Sequence, residues 1–135
     1  MKKSVVIVDD SNFLLRKLQD FFEGSGEYEV VATGSDGNQA VALYREHRPD
    51  LITLDITMPE KDGKQSLVEI LAGFPEARVL IISAVSGPAI LECLKAGAKG
   101  YVEKPLRFED EDFRAEFLET LGEISSLASD NRIGK

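Results

Sequence analysis

Five residues in this chain become a chemical site if the fold gathers them: Asp9, Asp10, Asp55, Ser83 and Lys104. Each comes after a short apolar run. Val5 to Val8 leads into Asp9-Asp10, Leu51 to Leu54 into Asp55, and Val79 to Ile82 into Ser83. Tyr101-Val102 precedes Glu103 and Lys104, which stands directly before Pro105. Three carboxylates crowded together repel one another and resist full ionisation unless a cation offsets them. A cation-holding acid cluster, with one hydroxyl and one ammonium beside it, is the chemistry these side chains can supply.

These apolar runs, together with Tyr28 to Ala32, make five segments, mostly β-branched, that do not alternate with polar residues. They predict strands buried on both faces. Helical spacing fills the intervals: Leu14, Leu18, Phe21 and Phe22; Ala40, Leu43, Tyr44 and His47; Leu67, Ile70 and Leu71; Ile90, Leu91 and Leu94; and Phe113, Phe117, Leu121 and Ile124. Ser11 or Asn12 can cap the first helix and Ser35 or Asp36 the second. The five prolines fall between periodic segments or in a first helical turn, and Gly97 stands where the fourth helix should stop. The pattern is a βα unit repeated five times at roughly 27 residues each, close to the ~30 typical of such units. Parallel strands joined by crossover helices give a three-layer α/β sandwich. Ligands of such sheets bind outside the carboxyl ends of the strands, where strand order reverses. The five residues above are therefore expected on one edge of the sheet.

The chain has 135 residues, 43% of them apolar, and a formal net charge of −8. Such length and apolar content predict one domain with a real core. The acidic balance argues against binding nucleic acid, because phosphate backbones demand clustered cations. No apolar run approaches the roughly 20 residues of a membrane span, and the N-terminus lacks the apolar stretch of a secretory signal. A single cysteine, Cys93, excludes an internal disulfide and a cysteine-based zinc cluster. A cytoplasmic protein is expected.

Four segments carry a family resemblance: Val-Asp-Asp-Ser (8–11), Leu-Asp-Ile-Thr-Met-Pro-Glu-Lys-Asp-Gly (54–63), Ile-Ser-Ala (82–84) and Ala-Gly-Ala-Lys-Gly-Tyr-Val-Glu-Lys-Pro (96–105). In order and spacing they resemble the signatures of response-regulator receiver domains. The resemblance implies the flavodoxin-like fold with strand order 2-1-3-4-5. It makes Asp55 the phosphoacceptor for a phosphoryl group from a histidine kinase. Asp10, Asp55 and the backbone carbonyl of Thr57 would ligate Mg²⁺ directly, and Asp9 through water. Ser83 would bind a phosphoryl oxygen, Lys104 would pair with the phosphate, and Tyr101 occupies the aromatic switch position. Thr57 and Val85 flank the path of the hydrolytic water; one is short and the other has no hydrogen-bonding group, which implies slow dephosphorylation. Residues 1–128 would form the receiver and 129–135 a C-terminal tail, with order fading from Ser125.

The implied role is that of a stand-alone, chemotaxis-type receiver serving a flagellar motor switch protein, with a separate phosphatase. Its catalysis would be limited to its own phosphorylation and dephosphorylation. The alternative is a phosphorelay intermediate or a receiver cut from a longer regulator. A phosphohydrolase resembling the haloacid-dehalogenase group needs Asp-x-Asp at the nucleophile, whereas position 57 is Thr and the acidic pair lies upstream. A flavodoxin needs a phosphate loop where Asp9-Asp10 stand. Cys93 is expected in the core, His47 at a helix end, and Glu109 to Asp112 at a helix N-terminus favoured by the dipole. Gly24-Ser25-Gly26 reads as a turn, not a phosphate loop.

Overall fold

A computed structural model describes residues 2–56, 63–84 and 87–133, with side chains as far as Ser125. Strands and helices alternate: β1 (Lys3–Val8), α1 (Asn12–Gly24), β2 (Tyr28–Gly34), α2 (Gly37–His47), β3 (Leu51–Leu54), α3 (Gly63–Gly73), β4 (Val79–Ser83), α4 (Pro88–Ala96), β5 (Gly100–Glu103) and α5 (Glu111–Ile133). All strand pairs are parallel, in the order β2-β1-β3-β4-β5. This is the expected flavodoxin-like sandwich.

Alternation along each strand sends neighbouring side chains to opposite faces. Val5, Ile7, Leu80 and Ile82 pack with Leu18 and Phe22 of α1 and with Phe117, Leu121 and Ile124 of α5. Val6, Val8, Ile52, Leu54, Val79 and Ile81 pack on the other face with α2, α3 and α4. The three central strands are buried almost throughout, so their sequences need no polar alternation. The edge strands β2 and β5 are only partly buried. An aromatic cluster seals the α1–α5 side, with Phe21 stacked on Phe108 at 4.4 Å and edge-on to Phe117 at 5.1 Å.

Of the alternative caps, Ser11 accepts the Leu14 N–H and Asp36 the Gln39 N–H. Gly97 ends α4 at φ 123°, a conformation glycine adopts without steric cost. One expectation changes. Leu91, part of the predicted apolar stripe of α4, is exposed, while Cys93 is buried beside Ile90 as expected. The short α4 thus turns its 90/93 pair to the core. Helix α5 extends through Ile133. That segment includes Leu127, Ala128 and Arg132, all good helix formers. Among the described residues no helix is long and apolar enough to cross a membrane.

Candidate functional site

Parallel pairing aligns the strand ends and so delivers their following residues to one edge. The Asp9 N–H donates to the Gly34 carbonyl at 3.1 Å, and the Asp55 N–H to the Val8 carbonyl at 3.2 Å. Lys104 is tied across to β4, its N–H donating to the Ser83 carbonyl at 2.9 Å. The sheet ladder therefore continues one residue into the site on three strands.

The side chains then meet. Lys104 Nζ lies 2.9 Å from Asp9 Oδ2 and 3.1 Å from Asp55 Oδ2. Asp9 is 1% exposed, Asp55 2%, and the Lys104 side chain 14%. The other oxygen of Asp9, Oδ1, accepts the Ser11 N–H at 2.9 Å, at the start of α1. Asp10 is exposed, yet Asp9, Asp10 and Asp55 each offer a carboxylate oxygen, all within 4.8 Å of one another. Ser83 is fully buried at the end of β4. Tyr101 sits opposite Ile81 in the β4–β5 ladder and is 44% exposed.

Burial pushes the Asp9 carboxyl above its ordinary range, although the Lys104 ammonium and the Ser11 N–H pull it back. For Lys104, burial favours the neutral amine, but the Asp9 and Asp55 carboxylates outweigh it and the pKa is raised. The ammonium is thus held charged between two buried acids. The carboxylates outnumber it, and their hard anionic oxygens are the donors that suit Mg²⁺, a cation that binds through one or two carboxylates and keeps several waters. The donor set fits the metal.

The structure gathers Asp9, Asp10, Asp55 and Lys104, and places Ser83 on the neighbouring strand end. Thr57 and Val85 lie outside the described residues, as does the 57–62 part of the second motif. Sequence reading missed two features. Lys104 spans Asp9 as well as Asp55, which depends on side-chain reach rather than spacing. Gly63, the first residue of α3, sits so close to the end of β3 that an added Cβ would fall 2.6 Å from Ile56 Cα and nearer still to the Asp55 carbonyl oxygen. The Asp-Gly at 62–63 was the available signal.

The family model for the response regulator receiver domain matches residues 5–115. The chain is 41% identical over 108 residues to the chemotaxis protein CheY of Thermotoga maritima, covering 79% of this chain and 89% of that protein. CheY of Bacillus subtilis matches at the same identity and coverage. Among solved structures, the CheX-CheY-BeF3-Mg+2 complex from Borrelia burgdorferi aligns with a TM-score of 0.78 and 38% identity, over 88% of this chain and 86% of that one. The response regulator domain of Thermotoga maritima CheB aligns with a TM-score of 0.81 and 31% identity, over 96% and 98% of the two chains. With its parallel sheet in the order 2-1-3-4-5 and acids at the ends of the first and third strands, this CheY-like chain belongs to the response regulator receiver domain family.

Proposed function

We propose that the chain is a chemotaxis-type receiver that accepts a phosphoryl group on Asp55 from a phosphohistidine of a histidine kinase. A carboxylate oxygen of Asp55 forms the new O–P bond as the N–P bond to the imidazole breaks. A carboxylate nucleophile needs no separate base. The placement of Asp55, buried beside Asp9 and ion-paired with Lys104, carries this reading.

Asp9, Asp10 and Asp55 would hold Mg²⁺, with the Thr57 carbonyl as a further donor. When bound, the ion supplies positive charge to the oxygens of the phosphoryl group, whose transition state is loose and charge-spread. Lys104 adds a fixed ammonium at the same place, and preorganised charge of this kind is commonly the largest catalytic contribution. Ser83 then donates its hydroxyl to a phosphoryl oxygen, and Tyr101 moves into space this vacates. Burial of Asp9 and Asp55 keeps bulk water from screening these charges. The module turns over no outside substrate beyond its own phosphorylation and slow dephosphorylation.

The likeness to the two CheY proteins supports a place in chemotaxis, with a flagellar motor switch protein as target and a separate phosphatase. The relative crystallised with CheX supports the idea of a further protein partner. Incubation with a small phosphodonor and Mg²⁺ should add one phosphoryl group, mapped to Asp55, and Asp55→Asn should abolish it. Labelling that persists on the folded Asn variant would overturn the assignment.

A further inference from the structure

Helix α3 turns Gly63, Ser66, Leu67 and Ile70 inward, the spacing of an apolar stripe, yet one of the four is a serine. Ser66 is fully buried. A hydroxyl in such a place costs free energy unless it is hydrogen-bonded, whereas an alanine there would not. The Ser66 hydroxyl donates to the Gly37 carbonyl, in the first turn of α2, at 3.0 Å. That bond closes a ring of contacts around the acid cluster. On one side, the Gly63 N–H donates to the Ile56 carbonyl at 3.4 Å, and the backbone of Asp55 and Ile56 leaves no room for a Cβ on Gly63. The start of α3 therefore rests directly on the strand end that carries Asp55. On the other side, the Asp9 N–H donates to the Gly34 carbonyl at 3.1 Å. Gly34 packs on α2 so closely that an added Cβ would fall 3.1 Å from the Gln39 Cβ. Contacts thus run from Asp9 through Gly34 to α2, across the Gly37–Ser66 bond, and through Gly63 to Asp55. Lys104 joins the same two acids from the β5 side.

We infer that Ser66 is a positioning residue for the metal and phosphoryl site, holding Asp9 and Asp55 at their working separation through Gly37 and Gly63. The inference rests on the receiver reading and adds to it a residue outside the acid cluster. Mg²⁺ demands near-octahedral placement of its ligands, so a small change in carboxylate separation weakens its binding. A close-packed interior transmits a displacement rather than absorbing it. Without the hydroxyl the Gly37 carbonyl loses a donor in a buried place, and the α2–α3 contact relaxes to recover one. The Asp9 and Asp55 ends then move relative to each other.

The test follows backbone amides of the full chain by NMR, first without metal and then through a Mg²⁺ titration, at a temperature where every variant is folded. In the metal-free chain, Ser66→Ala should shift the amides of Gly34, Asp9, Gly63 and Asp55. It should raise the Mg²⁺ midpoint about threefold or more, below the roughly 10- to 100-fold lost with a direct partner of a metal ligand. Ser66→Thr and Ser66→Val crowd the position alike and differ in the hydroxyl, so the Thr variant should bind Mg²⁺ more tightly by a similar factor. Ile124→Val loosens the core on the other face of the sheet and should leave the midpoint at the wild-type value. Metal-free shifts confined to the α2–α3 contact would overturn the inference. Equal midpoints in wild type and Ser66→Ala, or in the Thr and Val variants, would do the same, as would a rise in Ile124→Val as large as in Ser66→Ala. Phosphodonor labelling of wild type separates the two ideas: labelling at Asp55 with the Ser66 variants unchanged in Mg²⁺ binding sinks the positioning role alone, and failure to label sinks the receiver reading beneath it.

Discussion

The main chain of Lys104 is hydrogen-bonded to Ser83 at 2.9 Å while its ammonium reaches Asp55 at 3.1 Å. One residue therefore links the end of β4 to the acid pair through its backbone and its side chain.

The first prediction removes that ammonium. Lys104→Gln leaves Asp9 and Asp55 as adjacent buried acids, and breaking a buried pair in this way costs about 3 kcal/mol. In the variant the Asp9 carboxyl, already raised by burial, loses the ammonium that pulls it back, so its folded pKa lies further above the unfolded one. Stability is then recovered as pH falls and the folded state takes up the proton first. Urea melts at neutral pH and near pH 4 should show the deficit shrinking on acidification. A deficit of equal size at both would mean that Lys104 contributes packing rather than charge.

Asp10 offers a cleaner test of the metal, because it is exposed and the Lys104 ion pairs run to Asp9 and Asp55. Asp10→Asn should leave the fold and those pairs intact while lowering Mg²⁺ affinity, since binding follows the number of charged ligands. Labelling of Asp55 should be slow at low Mg²⁺ and recover at high Mg²⁺. Identical Mg²⁺ titrations by NMR in variant and wild type would remove Asp10 from the ligand set.

Much of this site was legible because β1, β3 and β4 are buried on both faces. Their apolar runs end at a polar residue that stays buried, so Asp9, Asp55 and Ser83 are marked in the chain by the change of residue type and not by a change of burial. The edges were harder. β2 continues through Thr33 and Gly34 because they pair with Ile7 and Val8, a contact that apolar content does not reveal. The outward turn of Leu91 is set by how α4 packs, since an apolar residue at that position would equally suit a buried face. Ser66 hid similarly: its hydroxyl donates to the Gly37 carbonyl at 3.0 Å in the core and joins α3 to α2.

Gly63 gives a third prediction. An added methyl group would press on the backbone at Ile56 and Asp55, not on a flexible side chain. Overpacking of this kind costs about 1–3 kcal/mol, and here relief requires moving the residue that carries the acceptor carboxylate. Gly63→Ala should slow phosphodonor labelling at temperatures where it is fully folded. Gly73→Ala, with nothing within 4 Å of the new carbon, is the control and should label as wild type does. Equal labelling rates in the two would free Gly63 of any part in positioning Asp55.

Signal lifetime supplies a fourth, argued from sequence at positions 57 and 85. Hydrolysis of the phosphoaspartate needs a water aligned with the phosphorus, and a nearby amide or carboxylate can orient it. Thr57 is short and Val85 is apolar, so decay should be slow. Thr57→Asn and Val85→Glu should each shorten the lifetime; if neither does, water orientation at these positions does not set the rate.

The last prediction concerns the switch, and the tyrosines supply its readout. The chain has no Trp and three Tyr; Tyr28 and Tyr44 are buried, whereas Tyr101 is exposed. Quenching of tyrosine emission by acrylamide therefore reports mainly on Tyr101. If phosphorylation draws the Ser83 hydroxyl inward and Tyr101 follows, beryllofluoride with Mg²⁺ should reduce the quenching. Coupling between such sites is typically about 1–3 kcal/mol, enough to shift a population without changing the fold. Ser83→Ala should keep the initial quenching and lose most of the response, because the hydroxyl that senses the phosphoryl oxygen is gone. Tyr101→Phe should remove the quenchable signal and so verify its source. Protection that survives in Ser83→Ala would place the coupling elsewhere, and the Ser83–Lys104 backbone hydrogen bond would then be the first alternative route to examine.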